Sequence, residues 1–196
     1  MISRPSFDIV LAGRGGQGVI FLSRVIGEAA MLQGLGVRTT ETHGMAMRGG
    51  SVLCFVRIGD VLGPLFPGGS ASVLMALHPD EALSGCVYLE STGVVVINTS
   101  KLPEQIKYPA NRKIITVDAE SLAGNEGVPR SFNLALLGAA AVLDGFPIES
   151  EGLESVISSK GPKDVRERNL RIFRLGGERS EKAVIQVRSE RGERSH

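Results

Sequence analysis

Tryptophan is absent from this 196-residue chain, aromatic residues make up 5% of it, and cysteines number two. Each shortage excludes something. With so few aromatics, the core has to be built from Val, Ile, Leu and Ala. Cys54 and Cys86 cannot by themselves complete the four-cysteine set that an iron–sulfur cluster or an all-thiolate zinc site usually takes. No pair of His or Cys has metal-ligand spacing, so no metal site is expected on this chain. No apolar run approaches the roughly 20 residues that span a bilayer, and no membrane partner is expected. MISRPSFDIVLAG enters a strand-like segment with no visible leader. A cytoplasmic location follows as the expectation, with both thiols buried and inert. An excess of charge is also missing. Lys and Arg total 22 against 21 for Asp and Glu, which argues against a nucleic-acid partner held by bulk electrostatics.

What is present is an ordinary globular composition, 42% hydrophobic and 22% charged, on a length that favours one domain. FDIVLA (7–12) reads as a strand buried on both faces. QGVIFLSRVIGEAAMLQ (17–33) carries apolar residues at helical spacing and ends at Gly34 and Gly36. VRTTET (37–42) is β-branched and reads as a second strand. Strand, glycine turn, helix and strand make a βαβ unit with a right-handed crossover. Further strands are expected at 51–58, 72–77, 93–98 and 113–117. Helices are expected at PDEAL (79–83), from Asp118, at 150–158 and at 164–175. FNLALLGAAAVL (132–143) is apolar almost all round, so it is either buried within the domain or covered by a partner. The fold class is α/β: a three-layer sandwich with a mostly parallel open sheet and helices on both faces. Residues 1–176 form one domain. Residues 177–196 form a charged tail in which 183–187 either adds a strand or stays mobile.

Two segments carry candidate chemistry. In the first, Gly13, Gly15, Gly16, Gln17 and Gly18 follow a strand and open a helix. Glycines there let a ligand approach closely, and the helix start offers unpaired N–H groups and partial positive charge. Together they suit a phosphate or carboxylate. The spacing also fits the dinucleotide fingerprint, with Glu41 where a ribose-binding acid would sit. The bland alternative is a tight turn with no ligand. Arg14 stands near the same mouth.

In the second segment, His43, Gly44, Arg48, Gly49 and Gly50 follow the second strand. Both segments leave the carboxyl ends of strands and should face one crevice. His43 is a candidate proton or hydrogen-bond donor, and Arg48 a candidate clamp for a carboxylate or phosphate. The alternative is that His43 caps the strand end and Arg48 pairs with Glu41. Met45 and Met47 are expected to pack against another surface. His78 is expected to cap the short helix after it. Asn133 is read either as a helix cap or as a buried interfacial hydrogen-bonder.

GRGGQGV followed by TETHGMAMRGGSV resembles the gamma subunit or domain of 2-oxoacid:ferredoxin oxidoreductases, and most closely the smaller subunit of the indolepyruvate type. HPDEAL, GVVVINTS, FNLALLGAAAVL and KDVRERNLRIFRLG agree, so the resemblance covers residues 7 to 176. It implies a part in the oxidative decarboxylation of a 2-oxoacid with coenzyme A, giving an acyl-CoA and two electrons for ferredoxin. It implies that thiamine diphosphate and [4Fe–4S] clusters sit on a partner subunit, that this chain is inactive alone, and that coenzyme A approaches at the interface. The isolated chain is open to homodimer formation. The glycines of both segments, with Gln17, His43 and Arg48, are carried over as facing the site. His78 stands where the indolepyruvate type has Glu, and Met47 where Gln is usual. Aryl and aliphatic 2-oxoacids therefore both stay open. Two rival readings remain: a self-contained NAD- or FAD-binding oxidoreductase, and a non-enzymatic nucleotide-binding module.

Overall fold

The computed structural model describes residues 6–43, 49–103, 112–180 and 184–186, the backbone alone for His43 and for 184–186. Seven strands form one sheet: β1 (Phe7–Arg14), β2 (Val37–His43), β3 (Ser51–Ile58), β4 (Ala71–Ala76), β5 (Leu89–Asn98), β6 (Lys113–Val117) and β7 (Val184–Gln186). Their order is β2-β3-β1-β4-β5-β6-β7. β1, β4, β5 and β6 run parallel. β3 lies antiparallel between β1 and β2, and β7 pairs antiparallel with β6. The expected mostly parallel α/β sheet is present. The first βαβ unit differs from expectation, because β3 inserts between its two strands. A hydrophobic run announces a strand, but its neighbours are chosen by non-local pairing that periodicity does not encode.

Alternation along β1 divides the core. Ile9 and Leu11 face one side, Val10 and Ala12 the other, as the two-residue period of a strand requires. The first side is covered by α1 (Val19–Leu32), α3 (Ala119–Asn125), α4 (Phe132–Ala141), α5 (Ser150–Ser158) and α6 (Lys163–Ser180). Among the described residues the second carries the short α2 (Ala82–Cys86), the loop before β4 and Leu102 after β5. There Phe55 meets Phe66 and Tyr88 edge-to-face, at centroid distances of 5.3 and 4.8 Å. Beneath them Arg57 donates to buried Asp8 at 2.9 Å and to the Leu65 carbonyl at 2.9 Å.

α4 is buried within its own chain, which decides between the two readings of its apolar sequence. Every residue from Phe132 to Ala140 is buried, against α6, α3 and α1.

α6 runs on to Ser180, past the expected domain end at 176, and β7 joins the sheet beyond it. Gly176 and Gly177 lie past the expected helix end at 175, yet they are packing residues inside α6. A Cβ on Gly176 would overlap the Ala135 carbonyl oxygen, and one on Gly138 would overlap that of Phe173. The two helices touch backbone to backbone.

Candidate functional site

The glycine turn after β1 and the glycines before β3 lie side by side. The Gly15 N–H donates to the Gly50 carbonyl at 2.9 Å. A Cβ on Gly15 would stand 3.1 Å from the Gly49 nitrogen, a tight contact that glycine relieves as the second segment comes close. Both therefore share the rim at the carboxyl ends of β1 and β2, as expected from the direction of the strands. Of the second segment, Gly44 and Arg48, with Met45 and Met47, lie outside the described residues. His43 pairs by its backbone with Val52.

The turn itself is braced from within. Gln17 Oε1 accepts from the Arg14 N–H at 2.7 Å, and its Nε2 donates to the Leu77 carbonyl at 3.4 Å. Gly13 is packed tightly against Val19. These two residues of the motif shape the turn, while no atom of the described residues would lie within 4 Å of a Cβ on Gly16 or Gly49. The Leu77 carbonyl also accepts from Asn98 Nδ2 at 3.1 Å, and Asn98 Oδ1 takes the Ala119 N–H at 3.2 Å. Buried Asn98 thus ties the ends of β4 and β5 to the start of α3. A lone asparagine ending GVVVIN gave no signal of that role.

The start of α1 opens into a cavity of about 340 Å³. α1 has no side-chain cap and no acid in its first turn, and Gly18 takes φ +84° there. The first-turn N–H groups and the positive dipole end of such a helix start are chemically suited to an anion. Asn133 and Asn169 line the far wall, 3% and 8% exposed. Asn133 Nδ2 donates to the Gln17 carbonyl at 3.1 Å, yet among the described residues its Oδ1 and that of Asn169 have no partner. Buried polar atoms are nearly always paired, so each is a candidate acceptor for a ligand donor or a water. Of the two readings of Asn133, the cap fails, because Ser131 holds that position; it is a buried hydrogen-bonder, but its partner is the Gln17 carbonyl of its own chain rather than a group across an interface. Asn169, inside an amphipathic helix, was missed. Arg130 and Lys160 stand at the mouth, the latter paired with Glu28 at 2.7 Å.

Arg14 is ion-paired to Asp80 at 2.8 Å and to Glu81 at 3.3 Å. His78 caps the turn after it, its Nδ1 accepting from the Asp80 N–H at 3.2 Å. Glu41 lies opposite Cys54 on β3, which lies opposite Leu11 on β1. It is two strands, about 9–10 Å, from β1. The dinucleotide fingerprint requires that acid on the strand beside the turn, so the inserted β3 removes the basis of the nicotinamide or flavin reading.

The thiols do not fit a cluster. Cys54 and Cys86 belong to cores on opposite faces of the sheet. Burial raises both, Cys54 to about 11 with Glu41 adding to the rise. Among the described residues no three His, Cys, Asp or Glu gather into a metal-binding group, and no helix is long and apolar enough to cross a membrane.

Fold and rim together define an α/β domain that gathers glycine-lined turns and an open helix start at one sheet edge. Residues 8–179 match the family model for pyruvate ferredoxin/flavodoxin oxidoreductase, and the chain belongs to that family. It is 38% identical over 188 residues to the indolepyruvate oxidoreductase subunit IorB of Methanothermobacter thermautotrophicus, covering 87% of this chain and 96% of that one. The crystal structure of pyruvate oxidoreductase subunit PORC from Thermotoga maritima matches with a TM-score of 0.75 at 28% identity, over 93% of this chain and 98% of that one. A 2-oxoglutarate:ferredoxin oxidoreductase from Magnetococcus marinus, with 2-oxoglutarate, coenzyme A and succinyl-CoA bound, matches with a TM-score of 0.76. At 23% identity, over 94% of this chain and 33% of that one, this last likeness is one of fold. The chain is thus a subunit of the 2-oxoacid:ferredoxin oxidoreductase class.

Proposed function

We propose that this chain works in a cytoplasmic hetero-oligomer that converts a 2-oxoacid and coenzyme A to an acyl-CoA and carbon dioxide. The carboxylate leaves as carbon dioxide, a carbon–sulfur bond forms to the thiol, one proton is released, and two electrons pass to ferredoxin. The partner subunit holds thiamine diphosphate, which supplies carbanion stabilisation when bound, and the iron–sulfur clusters. The cysteines of this chain do not fit a cluster, and no step is assigned to them.

This chain contributes the rim. The carrying observation is the hydrogen bond that sets the glycine turn of β1 against Gly50, beside an uncapped helix start. An anionic group of coenzyme A fits the N–H groups of α1. The unpaired Oδ1 atoms of Asn133 and Asn169 suit donors such as amide N–H groups. Similarity to the IorB subunit supports an aryl 2-oxoacid such as indolepyruvate as the substrate.

The test is reconstitution. The purified chain alone should not reduce methyl viologen with any 2-oxoacid and coenzyme A. Adding its partner should give reduction that requires both, fastest with indolepyruvate. Full activity of the isolated chain would reject the proposal, and a faster rate with pyruvate would reject the aryl assignment.

A further inference from the structure

Glu81 lies in neither glycine segment, yet its side chain bonds to a residue bordering each of them. Its Oε1 accepts from Arg14 Nε at 3.3 Å, and its Oε2 accepts from Ser51 Oγ at 2.6 Å. Arg14 is the last residue of β1 and Ser51 the first of β3. The two face each other in the β1–β3 register, immediately outside the Gly15–Gly50 bond. Glu81 itself is well anchored. It closes the 3-10 turn Pro79–Glu81, its N–H donates to the His78 carbonyl at 3.1 Å, and Ala82 beside it is wholly buried.

Burial separates the two acids that Arg14 meets. The Asp80 side chain is 61% exposed, that of Glu81 14%. Exposed ion pairs contribute little, whereas hydrogen bonds to a shielded charge are among the stronger ones. Asp80 also reaches only the β1 end, through Arg14, while Glu81 reaches both strands.

We propose that Glu81 is a positioning residue: its carboxylate clamps the ends of β1 and β3 and so holds the two glycine segments in the register that forms the rim. The inference rests on the coenzyme A reading only for its effect on catalysis, since the clamp itself is a property of this chain.

Two measurements test it. In the full chain, the amide exchange rate of Gly15 should rise about tenfold in Glu81→Ala. It should rise less in Ser51→Ala, and stay within about twofold of the parent in Asp80→Ala. Glu81→Gln keeps an acceptor and should recover most of the protection; it also serves if the alanine variant fails to fold. In the reconstituted complex, Glu81→Ala should raise KM for coenzyme A about tenfold with kcat little changed, and Glu81→Gln should restore it. Unchanged Gly15 exchange in both Glu81 variants, or an equal effect of Asp80→Ala, overturns the clamp. Faster exchange with an unmoved KM upholds the clamp and instead removes coenzyme A from the rim.

Discussion

Substituting Gly18 with alanine should damage the cavity wall through Asn133. Two costs arise. The first is conformational, because Gly18 sits at φ +84°, where a side chain costs about 1–2 kcal/mol. The second is steric. The new Cβ would overlap Asn133 Nδ2, driving that amide off the Gln17 carbonyl it reaches at 3.1 Å. Leaving those buried polar groups unpaired costs a further ~1–3 kcal/mol. Gly18→Ala should therefore destabilise the chain by about 2–5 kcal/mol in urea unfolding. The decisive comparison is the double-mutant cycle. In an Asn133→Ala background the clash and its hydrogen bond are already gone, and Gly18→Ala should cost only the ~1–2 kcal/mol of backbone strain. A coupling of roughly 1–3 kcal/mol is thus expected. Strict additivity of the two substitutions would refute the reasoning, since it would mean that Gly18 is held by its backbone conformation alone.

Other outcomes rest on the same geometry. Gly176→Ala should cost about 3 kcal/mol or more, because its Cβ meets the Ala135 carbonyl of a packed helix rather than a movable side chain; thermal unfolding checks this. Asp8→Asn leaves Arg57, whose side chain is 19% exposed, without its counter-charge, and should cost about 2–4 kcal/mol in chemical unfolding. The Cys54 thiol, raised from 9.0 to about 11 in the fold, favours the protonated form. Its stabilising contribution is complete below pH 9, the ordinary thiol value, and is lost as pH rises through 11. Stability should fall across that window, and Cys54→Ala should flatten the fall. At pH 8 both thiols should react with a disulfide reagent only as fast as the chain opens.

Several elements were legible from local pattern. The apolar run of SVLCFVRI placed β3 at Ser51–Ile58, and KIITV placed β6 at Lys113–Val117. The apolar spacing of Leu153, Val156 and Ile157 marked α5. The glycine rim was legible because the turn residues are confined to two short motifs, and because strands that run the same way end at the same edge. What escaped the sequence depends on pairing across distance. Nothing local tells β3 to lie between β1 and β2, and that placement separates Glu41 from the glycine turn. Gly176 and Gly177 lie past the expected helix end at 175, and their value lies in their closeness to the backbone of α4. Asn98, Asn169 and Glu81 are single polar residues in ordinary surroundings, and only their partners, or the lack of one, give them meaning.

The backbone contact between α4 and α6 reaches beyond packing. Asn133 stands on one helix and Asn169 on the other, while Gly138 and Gly176 join the pair one to two turns further along. The helices behave as the arms of a caliper whose pivot is two missing methyl groups. The width of the jaw is fixed at the pivot, so a substitution there would resize the opening for a ligand it never touches.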